Sequence, residues 1–152
     1  MTFYELVTNK ILLIPLCAWF IAQVAKVALI LVREKRLDWR MMISSGGMPS
    51  SHAAVVGALA TAVGMTDGLG SVTFGISVIL AIIVMYDAAG VRQSVGQQAA
   101  ILNRIIEELR FRRVTELERD LRELIGHTQF QVYVGVCIGI IVAWLWLILA
   151  GR

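Results

Sequence analysis

The chain has 152 residues, 58% of them hydrophobic and only 16% charged, with a formal net charge of +3. Its mean hydropathy is +0.76, outside the soluble globular range, and its length suits a single domain. A soluble globular protein is excluded, no nucleic-acid partner is expected, and the partners implied first are membrane lipids.

In chain order, residues 1–10 read as a short amphipathic lead-in. Residues 11–32 are long and apolar enough to span a bilayer. The basic residues that follow, with no small-residue cleavage site, set this segment apart from a cleaved signal peptide. Pro15 lies inside it and is placed to kink it. Residues 33–45 form a basic connection, with Trp39, Met41 and Met42 suited to the interface. A shorter Gly-punctuated segment, residues 50–66, can cross if the bilayer thins or its neighbours shield it. Asp67-Gly-Leu-Gly-Ser71 reads as a tight turn, and residues 72–88 as a third span. The polar segment 90–129 carries Ala99, Ile101, Leu102, Ile105, Ile106 and Leu109 at helical spacing, with charges between them. Residues 130–150 make a fourth span. Cys17 and Cys137 both lie inside spans and read as small apolar side chains, with no disulfide framework.

The fold class expected is all-α: an integral membrane helical bundle of about four transmembrane helices with a cytoplasmic helical segment, one membrane domain over residues 1–152. Four basic residues (Arg33, Lys35, Arg36, Arg40) follow the first span, and seven (Arg92, Arg104, Arg110, Arg112, Arg113, Arg119, Arg122) lie between the third and fourth. Eleven of the fourteen basic residues thus share one face. The positive-inside rule makes that face cytoplasmic and puts both termini of this multi-pass chain outside.

Unusual polar residues gather on the same face. Gly46-Gly-Met-Pro-Ser-Ser-His52 sits between two apolar segments. Two glycines, two hydroxyls and a histidine ahead of a helix make a cradle for an oxyanion, because the helix N-terminus favours negative charge. His52 can move a proton near neutral pH. Lys26 and Arg33 are seven residues apart, about two helical turns, so they share a face roughly 10 Å apart along the axis. Lys26 either snorkels to the interface or serves function within the bilayer. Gln23, one turn earlier, is placed on that same face. Asp87 ends the third span, with Arg92 five residues on; the bland alternative is a solvated interfacial carboxylate. Ser50 also reads as a helix N-cap, compatible with phosphate binding. His127, after Gly126, reads either as a catalytic group or as the end of the preceding helix. Gly135 and Gly139, four apart on the last span, fit helix packing better than chemistry.

Lys26-x6-Arg33, Pro49-Ser50-Ser51-His52 and Gly126-His127-x3-Gln131-Val132-x2-Gly135 resemble the three-part signature of the type 2 phosphatidic acid phosphatase superfamily. The longer strings Gly-Gly-Met-Pro-Ser-Ser-His and Tyr86-Asp-Ala-Ala-Gly-Val-Arg92 are more similar to its divergent branch, described as acid phosphatase and vanadium-dependent haloperoxidase related. The likeness runs from about Gln23 to Gly139. It implies that Lys26, Arg33, Ser50 and Ser51 bind phosphate oxygens, that His52 protonates the leaving alkoxide, and that His127 attacks phosphorus. No cofactor and no metal is implied.

Several positions depart from the pattern. Glu34 stands for Pro, Ser51 for Gly, and Gln131 for the Asp that orients the nucleophile. The Ser-Arg pair is absent, leaving Arg92 and Asp87 as candidates to replace its guanidinium and the carboxylate. Four spans stand where the superfamily usually has six, so a homodimer would complete the bundle. The leading expectation is a metal-independent membrane phosphatase acting on a phosphorylated lipid or similar phosphoester. The alternatives are a non-catalytic binder of anionic lipid or phosphate, and a small transporter or assembly subunit.

Overall fold

The computed structural model describes residues 3–35, 42, 47–91, 94, 98, 101–105 and 128–150. Among these the chain is helical, with no strand. A short exposed helix α1 (Phe3–Val7) precedes α2 (Lys10–Glu34), followed by α3 (Ser51–Thr66), α4 (Val72–Tyr86), a π-helical turn (Asp87–Val91) and α5 (Gln129–Leu149). Of the polar segment between the third and fourth spans, residues 101–105 are helical; its charged stretch from 106 to 123 lies outside the described residues.

Three helical stretches, Lys10–Glu34, Val72–Gly90 and Gln129–Leu149, are long and apolar enough to cross a membrane, and Ser51–Thr66 is a shorter apolar helix. At 1.5 Å per residue a helix of that length spans about 24 Å, less than the roughly 30 Å hydrocarbon core. Position compensates for the shortfall. α3 packs against α2, α4 and α5. Eight of its residues are buried, against two on α4, Ser77 and Ala81. α3 is therefore the centre of the bundle, and α4 presents Ile76, Ile79, Ile82 and Ile83 outward.

Small residues let α3 sit so deep. Ala53, Ala54, Ala58 and Ala62 are fully buried. A Cβ on Gly139 of α5 would overlap the Ala54 carbonyl oxygen and lie 2.7 Å from the Ala58 nitrogen; one on Gly57 would lie 3.2 Å from the Val136 carbonyl oxygen. Backbones thus approach as closely as side chains usually do, the small-xxx-small contact expected of membrane helices.

The core divides into two clusters. In the first, Ile14 and Ala18 of α2 pack with Ala58 and Ala62 of α3 and with Ala143 and Leu147 of α5. The second joins Ala53, Ala88 and Val132. Early α2 therefore meets late α3, an antiparallel pair, whereas α3 and α5 run parallel. The turn after α3 is held by its own polar groups. Gly68 has φ 88°, Ser71 caps α4 by accepting the Phe74 N–H at 3.1 Å, and the Thr73 hydroxyl donates to Asp67 at 2.7 Å. α2 continues unbroken through the buried Pro15. Cys17 and Cys137 are free.

Candidate functional site

Among the described residues the buried polar side chains are Gln23, Lys26, Ser50, Ser51 and Ser77. Ser77 donates to the Phe74 carbonyl within its own helix. The other four belong to the later half of α2 and the start of α3. The antiparallel progression that pairs Ile14 with the end of α3 brings Lys26 level with Ser50. Four of the five buried polar side chains among the described residues thus share one end of the bundle.

Lys26 is fully buried, 0% exposed. A lysine that snorkelled would leave its ammonium at the surface, so snorkelling does not describe this residue. On insertion scales a lysine at mid-span costs about 3 kcal/mol, which is why such residues default to function. Arg33, on the nominally same helix face, is exposed in the last turn of α2. Gln23 is 3% exposed, and its amide nitrogen donates to the Met42 carbonyl at 2.9 Å. Its side-chain oxygen meets no donor.

Gly47, with φ 86°, and the cis Met48–Pro49 peptide lead into Ser50. Ser50 is the N-cap of α3: its hydroxyl accepts the Ala53 N–H at 3.4 Å. Its own N–H donates to the Gln131 carbonyl at 3.1 Å. Its carbonyl oxygen lies where a Cβ on Gly135 would be. The cap of α3 is thereby tied to the first turns of α5. His52, half-buried, follows in the first turn of α3.

The second core cluster brings three chain segments to this corner. Ala53, Ala88 and Val132 pack together, and the residues just before them are His52, Asp87 and Gln131. Asp87 is half-buried, caps α4 and opens the π-helical turn. His127 and Arg92, both singled out from the sequence, lie outside the described residues.

Gln131 takes a role that the family resemblance does not assign to it. Thr128 is the N-cap of α5, and the Gln131 side-chain oxygen accepts the Thr128 N–H at 3.1 Å while the Thr128 hydroxyl accepts the Gln131 N–H at 3.4 Å. Thr-x-x-Gln ahead of an apolar run is the signature of this capping box, legible without coordinates.

The profile of the Divergent PAP2 family matches residues 7–142. The chain belongs to that family. It is also similar to the uncharacterized membrane protein YuiD of Bacillus subtilis (strain 168), 42% identical over 147 residues, covering 90% of this chain and 93% of the other. No solved structure matches it. Apolar helices and kinship together make this Divergent PAP2 family chain a membrane protein, a helical bundle in which four of the five buried polar residues described lie where late α2 meets the start of α3.

Proposed function

We propose that this membrane protein is a metal-independent phosphatase, hydrolysing a lipid phosphate or related phosphomonoester at the cytoplasmic face. The observation that carries the reading is the fully buried Lys26 grouped with Gln23, Ser50 and Ser51 beside the N-terminus of α3. Membership of the Divergent PAP2 family supports it, as does the π-helical turn at Asp87, a distortion frequent at functional sites.

Lys26, Arg33 and Arg92 supply positive charge to the non-bridging oxygens, and the α3 N-terminus adds its dipole. Ser51 lines the cradle and Ser50 holds it in place. The His127 imidazole attacks phosphorus as the bond to the leaving oxygen breaks, and His52 gives that oxygen its proton. Water then attacks the phosphohistidine, His52 takes up the water proton, and inorganic phosphate leaves with His127 restored. Splitting one displacement into two lowers the barrier. Asp87 stands in for the carboxylate that the family pattern places at Gln131. The eleven basic residues on one face support a site on the cytoplasmic side, with the termini outside.

Purified protein in detergent should release inorganic phosphate from phosphatidic acid, phosphatidylglycerol phosphate or a polyprenyl phosphate without added metal. His52→Ala should reduce the rate at least a hundredfold. Equal inactivity of wild type and variant across that panel would remove the catalytic reading.

A second reading, a binder of phosphorylated lipid without turnover, is favoured by one contact: the Gln131 side-chain oxygen is already engaged by the Thr128 N–H. It expects saturable headgroup binding, lost on Arg33→Ala. A phosphohistidine trapped at His127 excludes it.

A further inference from the structure

The side-chain amide of Gln23 is half satisfied. Its nitrogen donates to the Met42 carbonyl at 2.9 Å, which fixes the orientation, because the reversed amide would set oxygen against oxygen. The oxygen, in a residue 3% exposed, is the buried side-chain acceptor among the described residues that no donor reaches. Buried polar groups are nearly always paired, and an orphan calls for an explanation. This one stands one helical turn from the buried Lys26, level with the start of α3. Met42, to which it is tied, is on the segment that leads into the Gly47–Ser50 loop.

We propose that Gln23 reads the ligand: its side-chain oxygen accepts a hydrogen bond from an O–H group of the phosphorylated molecule that Lys26 holds. The inference rests on the phosphate reading above and adds a selectivity to it. Lysine and helix dipole attract any phosphate, monoester or diester, because both are anionic. An acceptor placed beside them does not. It repels a bare phosphoryl oxygen and welcomes a protonated one or a headgroup hydroxyl. A site built to pair with a donor discriminates against the analogue that lacks it, because the buried acceptor is then left unpaired. The O–H has two sources. A phosphomonoester carries one on phosphorus near pH 6, its second ionisation. A glycerol headgroup carries one on carbon.

The test titrates purified full-length protein in neutral detergent at pH 6 with three short-chain lipids that the proposed reaction does not consume. They are a diacylglycerol phosphonate, its monomethyl ester and phosphatidylglycerol. The first has a P–OH, the second has no O–H, and the third has only headgroup hydroxyls. In Gln23→Met and Gln23→Leu the preference for an O–H-bearing lipid over the methyl ester should fall about tenfold relative to wild type. Charge differences between the lipids cancel in that comparison. A fall for the phosphonate alone assigns the donor to phosphorus; a fall for phosphatidylglycerol alone assigns it to the headgroup. Preferences equal to wild type in both variants, or an equal loss for all three lipids, overturn the role of Gln23 and leave the phosphate site standing. Wild type that binds none of the three overturns the site itself. Two apolar replacements of different shape guard against one that fails to fold.

Discussion

Gly135 of α5 lies directly on the carbonyl oxygen of Ser50, the residue that caps α3. A Cβ there would overlap that oxygen and lie 3.0 Å from the Ala53 Cβ. The neighbouring Ser50 N–H to Gln131 carbonyl bond, 3.1 Å, holds the same residue from its other side. One residue of the proposed cradle is thus positioned by backbone contact with a helix some eighty residues away in sequence.

Gly135→Ala should push the two helices apart at the cap. A cost of about 1–3 kcal/mol is expected for such overpacking, read as a lower midpoint of thermal unfolding in detergent. Gly139→Ala, against the Ala54 carbonyl and the Ala58 nitrogen, should cost a similar amount. Only Gly135→Ala should also weaken phosphate-lipid binding several-fold, because only it displaces Ser50.

Lys26→Met tests whether the buried ammonium serves the ligand. The variant should lose phosphate-lipid binding by about tenfold or more, the loss expected when a charged hydrogen-bond donor is removed. A variant that unfolds early and binds normally would make Lys26 a structural residue.

Ser50→Ala removes the cap acceptor for the Ala53 N–H. About 1 kcal/mol of stability should be lost. Ser51→Ala, one residue on, removes a buried hydroxyl that is not the cap. It should leave the unfolding midpoint nearly unchanged and lower lipid binding, as comparison of calorimetric titrations would show.

Gln131→Asp restores the carboxylate of the family pattern at the cost of the capping box with Thr128. Stability should fall by about 1 kcal/mol or less. If His127 is the nucleophile, kcat/KM for a lipid phosphate should rise about tenfold or more, since a carboxylate stabilises the imidazolium that an amide cannot. A variant as active as wild type would mean that Asp87 already supplies that carboxylate in full.

The architecture was legible because apolar runs and their breaks are local. The sequence reading placed the first span at 11–32 and the last at 130–150, against helices Lys10–Glu34 and Gln129–Leu149. The turn at 67–71 and the cap at Ser50 follow from residue chemistry, glycine and hydroxyl, acting on their own backbone. The Thr128–Gln131 box is local too, although the family resemblance draws Gln131 toward a different role, as the partner of a histidine.

Other features depend on what a second helix brings. A seven-residue spacing puts Lys26 and Arg33 on one face of α2, yet Lys26 is buried and Arg33 exposed. Periodicity gives a side chain's direction from its own axis and says nothing of where the neighbouring helix begins. The small-residue pattern of Gly135 and Gly139 announced a close contact, but only packing named α3 as its partner and Ser50 as the residue pinned. The unpaired oxygen of Gln23 was invisible in sequence for the same reason: whether an acceptor is satisfied depends on which donors the fold carries to it, and those come from elsewhere in the chain.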